Sequence, residues 1–384
     1  MGKAKNNVKS SLEVDYKDDL LAMLCDDLNK NNKDSPGFFK SLADEKPITE
    51  YISTGSSVLD ICISNRPYGG IPVGRVTEIS GTPSSGKSLV AYHVIAETQK
   101  RGGLPVLFDI EGTADRQFME AIGVNVSKVV YNRDATTIED VFASIERIIE
   151  KVRKSDKKRL ISIIVDSVAA LTTDLEQESD YSKSGFGTER AMLLSRSMRK
   201  INHLISSERI CLIFLNQLRM KLDRKNPYED PYIVPGGLAI PFYSSVRVAL
   251  SRSSSLKLKD DGGVEMEVGH EVTAKIIKNK IGPPSRKSKF NMYYDSGIND
   301  YMSWLDMLKQ YKIITTAGPY YSYGDEKFFA KDFVSLMENR SELKEELYSK
   351  MCDKLILVYK NRSEVELSDD ILIEDDEMTD AIDI

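Results

Sequence analysis

The chain has 384 residues, 41% of them hydrophobic and 29% charged, with a formal net charge of −6. That length supports one large domain with smaller appendages and an ample core, and the composition is that of a soluble globular protein. No run approaches the ~18 consecutive apolar residues of a membrane span, and the start, "MGKAKNNVKSSLEVD", lacks the apolar stretch of an export signal. Asn6 stands where myristoylation would need Ser or Thr. Cys25, Cys62, Cys211 and Cys352 are far apart and have no zinc-type spacing, so they read as reduced thiols of a cytoplasmic protein.

The charge is unevenly distributed. From Ser363 to the end there are ten acidic residues and no Lys or Arg, which leaves +4 for residues 1–362. A mildly basic body with an acidic tail suits a protein that binds a polyanion and regulates that binding. A purely solubilising tail accounts for the same pattern.

In chain order, Leu20, Leu21, Leu24 and Leu28 fall on one face of a predicted helix that "KDSPGFF" ends. From Tyr51 the pattern becomes strand, loop and helix, repeated. "RVTEIS" leads through a glycine loop into "SLVAYHVIAETQKR", and "LPVLFDIEG" precedes the helical "ADRQFMEAIG". "KVVYN" is followed by the amphipathic "IEDVFASIERIIEKVRK", and the apolar "RLISIIVDS" ends in Asp166. "ERAMLLSRSMRKINHLIS" reads as helix, and the buried strand "ICLIFLNQ" ends in Asn216 and Gln217. Near-continuous apolar strands alternating with helices predict a mostly parallel sheet covered on both faces, an α/β fold. After Gly237, "SSVRVALSRSSSLKLKDD", "EVTAKIIKNKIGPP" and "SKFNMYYDSG" read as later, antiparallel strands. A small α/β piece follows, with the helix "YMSWLDMLKQY", a hairpin-like "GPYYSYGDEKFF" and a Lys/Glu-rich helix. The expected organisation is an N-terminal segment (1–46), a large α/β core (47–290), a small C-terminal α/β domain (291–360) and a disordered acidic tail (361–384).

The chemistry begins at "GTPSSGKS", Gly81, Thr82, Pro83, Ser84, Ser85, Gly86, Lys87 and Ser88. Glycines let backbone N–H groups approach phosphates, and the following helix points its positive end at the same anion. Lys87 is placed to reach the β- and γ-phosphates and Ser88 to ligate Mg²⁺. Asp166 closes the most apolar strand and so stands at the same sheet edge. It can hold a water on the metal, or it can cap a helix. Glu111, two residues beyond the strand "LPVLFD", is the candidate base for hydrolysis, with Asp109 as its competitor. Gln217 can hydrogen-bond the γ-phosphate or its water and so report nucleotide state.

Directly after Gln217, "LRMKLDRKNPYEDPYIVPGG" has no helical or strand period, and loops that long are uncommon unless functional. Arg219, Lys221, Arg224 and Lys225 interleave there with Met220 and Leu222, and the stretch ends in Gly236 and Gly237. Cations suit phosphates, and apolar side chains can wedge between bases. A second irregular segment, "EQESDYSKSGFGTE", precedes Arg190. A third stretch, 275–289, holds six Lys or Arg and no acid. Singly, each could be a solvated face.

The blocks "GGIPVGRVTEISGTPSSGKS", "FDIEGTAD", "IIVDSVAALT", "MRKI", "IFLNQLRMKL", "FYSSVR", "KIIKNKIGPP" and "AGPYYSY" resemble, in the same order, those of the bacterial RecA family of strand-exchange recombinases. The resemblance runs from about residue 50 to 325. It implies a RecA-like P-loop ATPase core that forms a helical filament on single-stranded DNA and pairs it with homologous duplex DNA, using ATP and Mg²⁺. Lys87 and Ser88 then resemble the phosphate and metal ligands, Asp166 the carboxylate behind the metal, Glu111 the base and Gln217 the switch. Asp115 and Phe118 resemble adenine contacts. Lys278 and Lys280 resemble lysines that reach a neighbour's γ-phosphate, and Arg190 and Arg199 resemble DNA-contacting arginines. The Leu20–Leu28 helix resembles an oligomerisation segment, and the acidic tail one that restrains duplex access. Mediator proteins are further partners that the resemblance suggests.

Three positions depart from the family pattern. Pro83 replaces a Glu, Leu238 replaces an Asn, and an apparent insertion leaves Arg190 or Met192 as the counterpart of one loop arginine, with Arg190 favoured on chemistry. These suit a divergent or phage-encoded member. Two alternatives stay open: a ring-forming helicase-like motor on the same core, and a filament or mediator paralogue that does not hydrolyse ATP.

Overall fold

The computed structural model describes residues 19–30, 39–45, 47–156, 158–179, 185–206, 208–220, 232–233, 237–259 and 263–359. Lys221, Leu222, Arg224, Lys225, Gly236 and the acidic tail therefore lie outside the described residues. The chain divides into two compact units, Met1–Thr49 and Glu50–Ile384. In the first, α1 (Asp19–Lys30) is amphipathic, with Lys30 in its last turn where a cation complements the helix dipole. Leu20, Leu21, Met23, Leu24 and Leu28 are all exposed on it.

The second unit opens with β1 (Tyr51–Ile52), α2 (Ser57–Ser64) and β2 (Ile71–Pro72). Ser56 caps α2, which ends at Asn65 in the left-handed region. The repeat predicted from hydrophobic patterning follows: β3 (Val76–Gly81), α3 (Lys87–Lys100), β4 (Leu104–Asp109), α4 (Arg116–Ala121), β5 (Val130–Asn132), α5 (Ile138–Ser155) and β6 (Ile161–Asp166). Next come α6 (Asp174–Gln177), α7 (Gly187–Ser206), β7 (Ile210–Gln217), β8 (Arg219–Met220), β9 (Tyr232–Ile233) and α8 (Ala239–Tyr243). The chain then forms β10 (Val246–Lys259), β11 (Glu265–Asn279), β12 (Lys287–Tyr293), β13 (Gly297–Asn299) and α9 (Asp300–Gln310). It continues through β14 (Thr315–Ala317), β15 (Tyr320–Tyr323), β16 (Glu326–Phe329), α10 (Phe333–Asn339) and α11 (Ser341–Leu355).

The main sheet has the order β13-β12-β11-β10-β3-β7-β6-β4-β5. From β10 to β5 every pairing is parallel, and β10 to β13 pair antiparallel. The alternation of side chains along a strand sorts the core into two layers. On one face Ile79, Leu107, Ile164 and Ile213 pack with Val90, Val94 and Ile95 of α3. On the other, Ile161, Ile163, Val165 and Phe214 pack with Val141 and Ile145 of α5 and Leu194, Met198 and Ile201 of α7. Burial on both faces explains why β6 reads as a near-continuous apolar run, in which Ser162 is buried and accepts a hydrogen bond from Thr98.

The structure refines three expectations. β10 is antiparallel to β11 but parallel to β3, so it joins the two kinds of strand. The stretch after Gln217 is not wholly irregular, because Arg219–Met220 pairs with Tyr232–Ile233 in a short antiparallel ladder. The C-terminal hairpin is a three-stranded meander, β14-β15-β16. Its core with α9, α10 and α11 includes Val58 and Ile61 of α2. No helix among the described residues is long and apolar enough to cross a membrane.

Candidate nucleotide and nucleic-acid site

In a parallel sheet the loops at the carboxyl ends of the strands gather at one edge. Here that edge carries the glycine loop after β3, Glu111 after β4, Asp166 and Ser167 at the end of β6, and Gln217 at the end of β7. The loop turns at Ser84 and Gly86, both with positive φ, and Gly86 caps α3. The φ of +90° at Gly86 favours glycine, and a Cβ there would also lie 2.8 Å from the sulfur of Met292, whose side chain would have to move. Pro83 and Ser84 are exposed at the tip, whereas Ser85, Gly86 and Lys87 are buried.

The Lys87 ammonium donates to the carbonyls of Gly81 (3.2 Å) and Thr82 (2.9 Å). Burial pulls its pKa down, and the charges of Asp166 and Glu111 oppose that. Ser88 Oγ donates to Asp166 Oδ2 at 2.6 Å. Burial pushes Asp166 up to about 6, the Ser88 hydrogen bond and Lys87 oppose the shift, and the charges of Glu111 and Asp109 add to it. The loop thus presents an ammonium, helix N-terminal amides and a hydroxyl to one point, with Asp166 behind the hydroxyl. That donor set fits a polyphosphate with a divalent cation at Ser88.

The two candidate bases separate by their partners. Asp109 is 2% exposed and accepts from Thr113 N (3.1 Å), Ala114 N (3.0 Å) and the Tyr131 hydroxyl (2.9 Å). Its carboxylate is committed to folding the loop that carries Glu111. Glu111 itself is exposed. Its Oε1 accepts from Ser167 Oγ at 2.5 Å and from Gln217 Nε2 at 2.7 Å. The candidate base and the candidate sensor are therefore in direct contact.

Behind them lies a buried polar cluster. Glu78 of β3, fully buried, accepts from Asn216 Nδ2 (3.1 Å) and from Arg247 Nε (2.5 Å), and Asn216 Oδ1 accepts from Gln217 N (3.1 Å). The sequence marks Asn216 only by its place at the end of an apolar strand. Glu78 and Arg247 were missed because their pairing depends on β10 lying beside β3.

The remaining candidates are more dispersed. Asp115 caps α4 through Phe118 N at 3.0 Å, and Phe118 packs partly against the core beside Tyr92. Lys278 Nζ donates to the carbonyls of Pro241 (2.7 Å) and Phe242 (2.9 Å), while Lys280 is exposed. Arg190 is not a free cation: both oxygens of Glu176 accept from its Nη2, at 3.1 and 2.8 Å. Arg199 is exposed on α7 and Arg219 on β8, and Met192 and Leu238 are 62% and 83% exposed. Gly237 lies against α7, where a Cβ would stand 3.2 Å from that of Ala191. The end of the long basic stretch thereby meets the start of the helix that follows the other irregular segment.

A phosphate loop, a carboxylate behind its metal-side hydroxyl, and an exposed glutamate held at the same edge of a parallel sheet define a P-loop ATPase. The family profile described as the RecA N-terminal domain matches residues 32–299. Protein RecA of Treponema denticola is 32% identical over 360 residues, covering 92% of this chain and 82% of that relative. Protein RecA of Ehrlichia canis is 38% identical over 288 residues (74% and 76%), and that of Leptospira meyeri 37% over 276 residues (72% and 67%). The chain belongs to the RecA family.

Proposed function

We propose that this chain is an ATP-dependent recombination and repair protein, a DNA-dependent ATPase that forms a helical filament on single-stranded DNA and exchanges strands with homologous duplex. Lys87 and the α3 amides bind the triphosphate, and Ser88 and Asp166 hold Mg²⁺, which when bound neutralises charge on the phosphates. Glu111 takes the proton of the attacking water. Gln217 exchanges its bond to Glu111 for one to the γ-phosphate. Because it is followed at once by Arg219 and the basic stretch, that exchange reaches the segment that grips DNA. Arg199 and Arg219 supply phosphate contacts, and Arg190 joins them only by leaving Glu176.

Assembly draws on the exposed apolar face of α1 and on the lysines at the end of β11. The exposed leucines of α1 dock on an adjacent protomer, and Lys278 and Lys280 reach a neighbour's γ-phosphate, Lys278 by releasing Pro241 and Phe242. The acidic tail competes with duplex DNA for basic surface.

The observation that carries the reading is the 2.7 Å bond between Gln217 and Glu111, which ties hydrolysis to the root of the basic stretch. Single-stranded DNA should raise ATP turnover several-fold. Lys87→Ala or Glu111→Ala should abolish turnover, and Lys278→Ala should stop strand exchange between a circular single strand and a homologous linear duplex. Turnover indifferent to DNA overturns the reading.

A further inference from the structure

Ser167 stands at the N-cap of the short 3₁₀ turn Val168–Ala170. A serine there ordinarily accepts a hydrogen bond from a backbone N–H of the turn it precedes. This one makes no such bond. It is fully buried, and its hydroxyl instead donates across the sheet edge to Glu111 Oε1 at 2.5 Å. The turn is closed without it, by the backbone bond from Ala170 N to Ser167 O at 3.1 Å. The hydroxyl therefore contributes nothing to its own turn, and Glu111 is its partner.

Glu111 is exposed and sits beyond the end of β4, so its side chain would sample several rotamers without a restraint. Both donors to it, Ser167 and Gln217, bond the same oxygen, Oε1. Among the described residues Oε2 accepts no hydrogen bond. Holding one carboxylate oxygen fixes the plane and direction of the other.

We propose that Ser167 is a positioning residue for ATP hydrolysis: it pins Oε1 of Glu111 so that Oε2 faces the attacking water. This rests on the reading of Glu111 as the base. Its weight increases when Gln217 turns to the γ-phosphate, because Ser167 is then the donor that remains. No bond to Ser167 forms or breaks in the reaction; the proton passes from water to Glu111 Oε2.

The test is a cycle of Ser167→Ala, Glu111→Gln and the double variant, measured in the full chain with saturating single-stranded DNA and Mg²⁺-ATP. Binding of a fluorescent ATP analogue certifies that each variant is folded. Should Ser167→Ala fail that check, Ser167→Gly, which also removes the hydroxyl, replaces it. Misplacing a catalytic group by about 1 Å costs on the order of 100-fold. Ser167→Ala should therefore lower kcat by roughly 10- to 100-fold, leaving KM for ATP and DNA affinity within about twofold. The double variant should be no slower than Glu111→Gln, because a residue that acts only through Glu111 has nothing left to orient. A wild-type kcat in Ser167→Ala overturns the proposal. So does a risen KM at unchanged kcat, or a further loss on top of Glu111→Gln. Near-wild-type turnover by Glu111→Gln would instead sink the base assignment itself.

Discussion

Replacing Arg247 by Met tests how the catalytic edge is supported from below. Glu78 has no exposed surface and Arg247 is 17% exposed, so their 2.5 Å bond is shielded from water and salt. Met preserves most of the side-chain length and removes the charge, leaving the Glu78 carboxylate with Asn216 as its remaining hydrogen-bond donor among the described residues. Stripping one partner from a buried pair costs about 3–5 kcal/mol, most of it the desolvation of the charge left behind. Unfolding entropy of about 2.1 cal/mol/K per residue over ~300 residues makes each kcal/mol worth roughly 1.6 °C. The melting temperature should therefore fall by about 5–8 °C.

The companion is Glu78→Gln/Arg247→Met, in which no charge is buried and Asn216 still has an acceptor. It should recover more than half of the loss, because the pair is worth far less intact than its breakage costs. Differential scanning calorimetry on the three proteins decides it. A fall under about 2 °C in Arg247→Met, or a double variant no better than the single, would refute the argument that an uncompensated carboxylate is the source of the effect.

Burial pushes His93 down to about 4, and its Nε2 accepts from Ile298 N at 3.0 Å, so the folded state keeps it neutral. With an unfolded value near 6.5, its contribution is complete above that pH and is lost as pH falls toward 4, by at most about 3 kcal/mol. His93→Gln should flatten this part of the stability–pH curve in urea titrations. Gly86→Ala places a side chain at φ +90 against Met292 and should weaken ATP binding at least tenfold in equilibrium dialysis while the rest of the fold is kept. Cys62, Cys211 and Cys352 are buried and Cys25 is partly exposed, so a thiol reagent should label Cys25 first and the others only on unfolding, as read by mass spectrometry.

Much of the molecule is legible in one dimension because its signals are local. The order of strands and helices follows from hydrophobic period. The glycine loop declares itself because consecutive backbone groups do the binding. Asp166 and Gln217 were locatable because each ends an apolar strand, and strand ends in a parallel sheet share an edge. Placement along the chain favours Glu111 and keeps Asp109 as its competitor, since both stand at the end of the same strand; what separates them physically is their hydrogen-bond partners. Asp109 is held by the nearby Thr113 and Ala114 amides and by Tyr131, whereas Glu111 is held by Ser167 and Gln217 from two other strand ends. Arg190 shows what one dimension leaves out: a cation beside an irregular segment reads as available, and the fold pairs it with Glu176, fourteen residues earlier.

Sequence alone thus determined the fold class, the phosphate loop and the family, all of which depend on residues that are neighbours along the chain or on blocks in a given order. Only the tertiary structure shows that Asp109 is buried in its own loop while Glu111 stays exposed, which oxygen of Glu111 is held, and that Glu78, Arg247 and Asn216 form one cluster behind the site. The physical reason is that charge pairing and hydrogen bonding act over about 3 Å, and here residues separated by many tens of positions come within that range only when β3, β7, β6, β4 and β10 are laid side by side.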